Sequence, residues 1–405
     1  MRRDTADASH TSGDFLPTRE AALLRLAAVR PDHYARTRNA LDGAVTRLSP
    51  YFSHGLLTLP EAHAAIAALH RLNPQHKLVY EFGWREYFHH VWSHRGDGIF
   101  KSLHDGPLPE DAYARELPAD IRGGRTGIPV IDHAVQTLYA TGYLHNHVRM
   151  WLASYVVHLR KVHWRVGADW LYSHLLDGDL ASNHLSWQWV AGTASHKPYL
   201  FNAENVAKYA PIEWHSPNTP IDTTYEALDQ MARRPGSICV MADADGVEEP
   251  ELRHAPGETS SFTTPDASSV ANHDVWLVHP WSLGDTPIDL PENTLLVAII
   301  ITGWHDQWPW SNRRWNFVTT RQRELASLCW LGNTDELCAG LVQARSVSAI
   351  DDPHYSEKLH RLHDDIVLRP APRLFDSVAP VCDSFSQWWR QLRLTSPDVD
   401  THPPA

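Results

Sequence analysis

The 405-residue chain is poor in cysteine and has no long apolar run. Its four cysteines form no Cys-x-x-Cys pair and all lie in the C-terminal half, so we expect neither a disulfide framework nor an iron–sulfur cluster. The longest apolar run, 295–301, is much shorter than the roughly 18 residues of a membrane span. The polar N-terminus has no apolar signal-peptide region. These absences predict a cytoplasmic protein without a membrane segment.

The chain also lacks an excess of positive charge. Its 36 Lys and Arg stand against 48 Asp and Glu, which gives a formal net charge of -12. A protein that grips phosphates with its whole surface is usually basic, so any contact with nucleic acid requires a local patch. Tryptophan, in contrast, is abundant at 17 residues. Tryptophan is redox-active, but most of these side chains are expected simply to fill cores.

Two hydrophobic patterns divide the chain. Apolar residues recur at helical spacing up to about residue 208, and short β-branched runs alternate with a helical pattern after it. We predict a multi-domain protein with an N-terminal all-helical domain and a C-terminal Rossmann-like α/β domain with a parallel sheet. Strands are predicted at 238–241, 275–278, 295–302 and 347–350, and a helix at 312–328. The expected boundaries are a disordered tail at 1–15, the helical domain at 16–215, a linker at 216–235, the α/β domain at 236–382, and a C-terminal helix and tail at 383–405.

Polar and aromatic residues recur in the helical half with spacings that suit a binding site. Glu81, Trp84 and Arg85 stand at i, i+3 and i+4, which places them on one helix face, and 146–150 repeats this spacing. Two acids flank a glycine at 177–179, and tryptophans stand at both ends of 187–189. Each group alone is equally typical of surface salt bridges or core packing.

Together, in this order, the groups resemble the FAD-binding domain of the photolyase/cryptochrome family. The family runs TSxLSPY, ExxWRE, TGxPxxD, TGxxHNxxRM and DGDxAxN followed by WQW correspond to residues 45–51, 81–86, 126–132, 141–150 and 177–189. The resemblance implies that FAD is the cofactor. It implies cofactor-binding roles for Tyr34, Thr46, Leu48, Ser49, Arg85, Arg149, Asp177, Asp179 and Asn183, with Asn183 facing the flavin.

The resemblance also implies a reaction and a substrate. It implies blue-light-driven repair of UV-induced pyrimidine dimers in damaged DNA, by electron transfer from excited reduced FAD. A flipped lesion is expected to stack on aromatic side chains, with Glu81 bonding its base edges. The implied substrate-binding residues are Glu81, Trp84, Asn146, Met150 and Trp189. The implied catalytic residues are Glu81, Asn183, Trp187, Trp164 and His145, of which Trp187 and Trp164 begin a photoreduction chain.

Several features depart from the family pattern. No tryptophan stands where the third, surface member of the chain is expected, and Tyr113 is the nearest aromatic residue. His147 replaces a common arginine, and 197–202 differs from the usual run. Only about 33 residues precede Tyr34, whereas the family places an α/β antenna domain before the FAD domain. Residues 275–285 faintly resemble the start of that domain, so we hypothesise a circular permutation.

Three functions therefore stay open: a repair photolyase, a cryptochrome-like blue-light receptor with a signalling partner, and a light-independent flavoenzyme. His145 lies where a (6-4) photolyase has an acid, but relatives that repair cyclobutane dimers share it, so it does not decide the lesion. An antenna chromophore stays open too, because His279 and Pro280 replace the family's arginine pair. The cluster 89–94 has no carboxylate or cysteine partner in sequence, so no metal is expected. We expect a monomer.

Overall fold

Helices with well-defined start signals form the N-terminal half of the computed structural model, which describes residues 15–238, 245–257 and 261–392. The helix that begins at Leu59 is an example. The side chain of Thr58 accepts a hydrogen bond from the Glu61 N–H, and the Glu61 carboxylate accepts one from the Thr58 N–H. The helices are α1 (Arg19–Ala27), α2 (Pro31–Thr37), α3 (Ser49–Ser53), α4 (Leu59–Leu69), α5 (Lys77–Arg95), α6 (Ala119–Arg122), α7 (Pro129–Thr141), α8 (Asn146–Ser154), α9 (Trp164–His174), α10 (Leu180–Ala191), α11 (Ala203–Tyr209) and α12 (Tyr225–Ala232).

The centre of this half is a set of buried helices around α10. α8 continues into a π-helical turn, Tyr155–Leu159, all of which is buried. α9 and α10 pack along each other, and α10 also contacts α5 and α8. The segment 216–235, expected to be a linker, contains α12, whose Leu228 and Ala232 are fully buried. The Pro, Thr and Ser residues that precede α12 are typical of a linker, so the sequence did not predict this helix.

A five-stranded parallel sheet forms the core of the C-terminal half. Its strand order is β5-β3-β2-β6-β7, so the chain starts in the middle, moves to one edge and then crosses to the other. A separate antiparallel pair joins β1 and β4. The strands are β1 (Leu252–Arg253), β2 (Asp274–Val278), β3 (Leu295–Ile301), β4 (Trp310–Ser311), β5 (Leu328–Gly332), β6 (Ser346–Asp351) and β7 (Val367–Pro370). The helices are α13 (Thr302–His305), α14 (Asn312–Leu325), α15 (Thr334–Leu341), α16 (Ser356–Leu359) and α17 (Phe385–Gln391).

The predicted combination of a helical half and a parallel α/β half is confirmed. The strands predicted at 275–278, 295–302 and 347–350 correspond to β2, β3 and β6. β5 and β7 were not predicted, and the helix expected to reach residue 328 ends at Leu325 because Leu328 already pairs with Val297. The tail expected at 1–15 and the strand expected at 238–241 lie outside the described residues except for Phe15 and Ile238. Phe15 is buried against Tyr143, with ring centroids 5.3 Å apart.

His54, the residue after α3, contacts backbone from both halves. The two ring nitrogens of buried His54 lie 2.8 Å from the Leu176 carbonyl oxygen of the helical half and 2.7 Å from that of Pro280, after β2. A neutral imidazole has one N–H, so it can donate to only one of the two at a time. α17 packs against α5. Within the described ranges, no helix is both long enough and apolar enough to cross a bilayer.

Candidate functional site

A cavity of about 280 Å³ opens between α5, α8 and α10. It collects most of the residues that the sequence predicts for a site, although they come from five separate stretches of chain. Those that line it are Tyr34, Thr46, Ser49, Glu81, Trp84, Arg85, Asn146, Arg149, Met150, Asp177, Asp179, Asn183 and Trp187. Four predicted residues, Leu48, His145, Trp164 and Trp189, do not line it.

One face of α5 carries Glu81 and Arg85, which line this cavity, and His89 one turn further on. Glu81, Arg85 and His89 stand four residues apart, so they follow one another along the same face. Burial raises the pKa of Glu81, and the guanidinium of Arg38, 3.5 Å away, offsets part of the rise. The helix ends at Arg95, and the next residue, Gly96, has a φ of 50°, which suits glycine. The spacing was visible in the sequence, but the pairing with Arg38 was not.

The two acids of the 177–179 loop have different partners. Nη2 of Arg149 donates to both carboxylate oxygens of Asp177, at 3.0 and 2.8 Å. Asp179 is the N-cap of α10, since its carboxylate accepts from the Ser182 N–H at 2.8 Å. Nε2 of His89 lies 2.9 Å from Asp179 Oδ2, and Arg85 Nη2 lies 3.7 Å from it.

Asp179 is therefore ionised although it is almost completely buried. Burial alone would raise its pKa, but His89 and Arg85 hold the pKa well below its usual value. The cavity thus has a fixed anion beside the guanidinium of Arg85 and the imidazole of His89. Such an array can bind hydroxyl groups as well as anionic groups of a ligand.

The first turns of α10 bring an amide, a hydroxyl and an indole to the cavity. Nδ2 of Asn183 donates to the Ala168 carbonyl at 2.8 Å, which fixes the plane of the amide. Among the described residues, the buried hydroxyl of Ser182 has no hydrogen-bond partner. A buried polar atom without a partner is costly, so this hydroxyl suits a ligand group. Trp187 is 2% exposed and packs against Gly167.

The remaining predicted residues lie around the cavity. Leu48 is fully buried, and its N–H donates to the Thr46 hydroxyl at 3.4 Å. His145 caps α8 by accepting from the His147 N–H, and burial lowers the pKa of His145 to about 4. Trp164 donates to the Ser102 hydroxyl at 3.0 Å. This indole lines a second cavity, of about 350 Å³.

The aromatic residues predicted for substrate differ in exposure. Trp189 is 40% exposed, and its ring centroid lies 5.7 Å from that of Tyr199. Trp84 lines the cavity, but it also stacks on Phe385 of α17 with centroids 4.2 Å apart. One face of Trp84 is therefore already covered.

Sequence reasoning missed several residues that shape the site. His89 carried a signal in the sequence, since it follows Arg85 by four positions and therefore shares its helix face. Ser182 also carried a signal, since it is one position from Asn183. Arg38 and Phe385, in contrast, are distant in sequence and have no pattern that points to the cavity.

The sequence profile of the FAD-binding domain of DNA photolyase matches residues 78–214. This region is a photolyase-type FAD-binding domain. It contains α5 through α11, which supply most of the cavity. Its cofactor is FAD, and the mixed charges and the unpartnered Ser182 hydroxyl of the cavity suit a ligand with a polar chain and anionic groups.

Relatives with two kinds of name share this region. The cryptochrome DASH of Gloeobacter violaceus is 31% identical over 172 residues, which is 40% of this chain and 34% of the relative. A deoxyribodipyrimidine photo-lyase of Thermus thermophilus is 36% identical over 186 residues, which is 44% of this chain and 43% of the relative. The chain thus spans less than half the length of these relatives.

A solved structure, the cryptochrome of Synechocystis, shows 28% identity over 47% of this chain and 43% of its own, with a TM-score of 0.43. The chain carries the family's FAD-binding domain, and its relatives include both photolyases and cryptochromes. These names do not separate repair from light reception.

Proposed function

We propose that the protein is a light-driven photolyase that repairs pyrimidine dimers in DNA. The observation that carries the proposal is one cavity that joins two sets of residues. The set expected to hold FAD includes Arg85, Arg149 and Asp179, and the set expected to bind the lesion includes Glu81 and Trp84. An electron donor and its acceptor must lie close together, so a shared cavity suits this chemistry.

The cofactor would be held by the charged side of the cavity. Asp179 and Asn183 would contact the flavin and its polyol chain, and Arg85 would lie beside them. The hydroxyls of Thr46 and Ser49 would donate to the diphosphate. When bound and reduced, FAD supplies the excited electron. Asp177 would act through Arg149, which it holds in place with two hydrogen bonds.

The lesion would be held by the α5 and α8 side of the cavity. A carboxyl with a raised pKa, as Glu81 has, is better able to donate a hydrogen bond to a base edge. Asn146 and Met150 stand one turn apart on α8 and line the same wall. Trp189 presents an exposed ring on which a neighbouring base could stack.

A second candidate is a cryptochrome-like light receptor without repair activity. The stacking of Phe385 on Trp84 favours it, because a lesion that needed both faces of this indole would be excluded. The net charge of -12 also opposes avid binding to DNA.

We further propose that the α/β half is the family's antenna domain in permuted order. Its parallel sheet supports this, since an antiparallel sheet would have excluded it. A cavity of about 630 Å³ lies beyond the carboxyl ends of β2 and β6, where the strand order reverses and α/β proteins commonly bind ligands. An antenna chromophore would fit this position. Mass spectrometry of the small molecules released from purified protein tests it.

The test of repair uses an oligonucleotide with one cyclobutane dimer. The flavin is reduced chemically beforehand, so a broken tryptophan chain cannot conceal activity. The photolyase proposal expects loss of the dimer in blue light and none in the dark. If protein that holds reduced FAD does not remove the dimer in blue light, repair of cyclobutane dimers is excluded. The light-receptor function would then be favoured, and a (6-4) lesion would be the next substrate to test.

Matched variants assign the activity to the cavity. Glu81→Gln keeps the shape of the side chain but can neither carry a charge nor exchange a proton, so slower repair at equal FAD content is expected. Glu204→Gln makes the same change at an exposed position on α11 and should repair normally. Affinity for the oligonucleotide that falls steeply with salt would favour a DNA-binding function over a small-molecule flavoenzyme.

A further inference from the structure

Arg314 on α14 is a fully buried arginine that belongs to the α/β half. Its Nη1 donates to the Tyr172 carbonyl at 3.1 Å and its Nη2 to the Gly178 carbonyl at 2.6 Å. Its Cζ lies 4.0 Å from the ring centroid of Trp310. Within the described part of the chain, no carboxylate forms a salt bridge with it. A buried charge without an ionic partner costs stability, so it calls for an explanation.

Arg314 reaches the loop that carries the two acids of the cofactor cavity. A Cβ at position 178 would lie 2.4 Å from Nη1 of Arg314, so only glycine allows this approach. The carboxylates of Asp177 and Asp179 line the cavity, while Arg314 holds the backbone between them from behind. The charge of Arg314 also attracts both carboxylates.

A second residue of the α/β half holds the same stretch of backbone. Nε2 of His354 accepts from the Leu180 N–H at 3.3 Å, at the first position of α10. Nδ1 of His354 lies 2.6 Å from Oδ1 of Asp352, just after β6, and its ring stacks on Trp281 at 4.4 Å. The Gly178 carbonyl and the Leu180 N–H belong to two consecutive peptide groups. Both are therefore held by residues of the α/β half.

We propose that Arg314 is a positioning residue of the cofactor site, which holds the 177–179 loop and places a buried positive charge behind its two carboxylates. The inference rests on the proposed roles of Asp177 and Asp179 at the FAD site. It makes the α/β half a determinant of how tightly FAD binds and how readily it is reduced. A positive charge near the flavin favours the reduced, more negative state.

The test compares three variants of the full chain. Arg314→Met removes the charge and both hydrogen bonds, while Arg314→Lys keeps the charge but cannot donate in the same two directions. Arg323→Met is the matched control: it makes the same change at an exposed position on α14, nine residues and about 13 Å further along. The readouts are FAD affinity, the midpoint potential of bound FAD, and hydrogen exchange of the 172–183 peptide in cofactor-free protein.

We expect Arg314→Met to weaken FAD binding about tenfold or more, the loss typical of a charged hydrogen bond. It should also make the midpoint potential more negative and speed exchange in the 172–183 peptide. Arg314→Lys should lose affinity but keep the potential close to that of the unmodified protein. A purely structural role would not separate the potentials of these two variants. The proposal would be overturned if the Arg314→Met protein had the same FAD affinity and the same hydrogen exchange in the 172–183 peptide as the Arg323→Met protein.

Two provisions keep the test decisive. If Arg314→Met does not fold, Arg314→Lys and His354→Phe take its place, and affinity within twofold of the control in both would overturn the proposal. Failure of dimer repair would leave these readouts untouched, because none of them uses DNA. If the unmodified chain bound no FAD, the cofactor assignment would fail, whereas exchange in cofactor-free protein would still report whether Arg314 holds the loop.

Discussion

The indole of Trp84 and the ring of Phe385 stack with their planes only 12° apart. Phe385 starts α17, and Trp389 of the same helix stacks on Tyr80 of α5 at 4.5 Å. A Cβ at Gly83, between these two contacts, would lie 2.5 Å from the Trp389 ring. α17 is thus packed directly onto α5, the helix that carries Glu81 and Trp84.

We predict that Phe385→Ala lowers the free energy of unfolding by about 3–5 kcal/mol, the usual cost of truncating a buried phenylalanine. Urea unfolding followed by circular dichroism measures it. Val381→Ala, at an exposed position shortly before the helix, should change stability by less than about 0.5 kcal/mol. Equal stability of the two variants would mean that α17 is not docked on α5.

Asp179 provides a prediction about charge inside the cavity. Replacing it with asparagine leaves Arg85 and His89 without their anion, so we expect a loss of about 3–5 kcal/mol in unfolding free energy and poor retention of FAD. Asp289→Asn breaks an exposed pair with Arg369 and should cost at most about 1 kcal/mol. If both variants lost the same small amount, Asp179 would not be a buried, paired anion.

Much of the site could be predicted because its residues recur at helical spacing. Glu81 and Arg85 stand four apart on one helix, so their shared face follows from the geometry of a single element. The β-branched runs that became β2, β3 and β6 likewise predicted buried parallel strands. These features depend on contacts within a short stretch of chain, which sequence patterns record.

The remainder depends on contacts between distant stretches. Arg314 meets Gly178 across 136 positions, and nothing in either segment indicates the other. β7 was missed because its Val-Leu-Arg-Pro run is an exposed edge strand that lacks a continuous apolar stretch. The buried face of α12 contains only Leu228 and Ala232, which is too few apolar residues to show a helical pattern. The polar residues before it therefore made the whole segment resemble a linker. Contacts of this kind become visible only in the folded structure.

Gly167 on α9 allows a test of the packing around Trp187. A Cβ there would lie 2.3 Å from the Trp187 ring, so alanine should force the indole to move. Alanine normally favours a helix interior over glycine by about 1 kcal/mol, but overpacking of this kind costs about 1–3 kcal/mol. We therefore expect Gly167→Ala to be net destabilising and to shift the absorption of bound FAD.

Gly303 on α13 is the control for this substitution. An added Cβ there meets no atom of the described residues within 4 Å, so Gly303→Ala should be neutral or slightly stabilising. The comparison is made by thermal unfolding of both proteins with and without FAD. A stabilised Gly167→Ala protein would show that Trp187 has room to move.

His158 predicts how stability depends on pH. The ring is fully buried in the π-helical turn, Nε2 donates to the Val190 carbonyl at 2.9 Å, and burial lowers its pKa to about 4. In the unfolded chain this histidine has a pKa near 6.5. Between pH 6.5 and 4 it therefore binds a proton in the unfolded chain but not in the folded protein. Stability from this residue is therefore complete above pH 6.5 and is lost as the pH falls towards 4. The loss amounts to about 3 kcal/mol for one histidine.

Urea unfolding at pH 7 and pH 4.5 tests this sign. His158→Gln can still donate to the Val190 carbonyl but does not titrate, so its stability should fall less on acidification than that of the unmodified protein. His104→Gln, at an exposed position, should retain the full pH dependence. A His158→Gln protein that lost as much stability as the His104→Gln protein would show that His158 is protonated in the fold. Its ring would then have to donate from both nitrogens, although Nδ1 has no hydrogen-bond partner in the part of the chain that the structure describes.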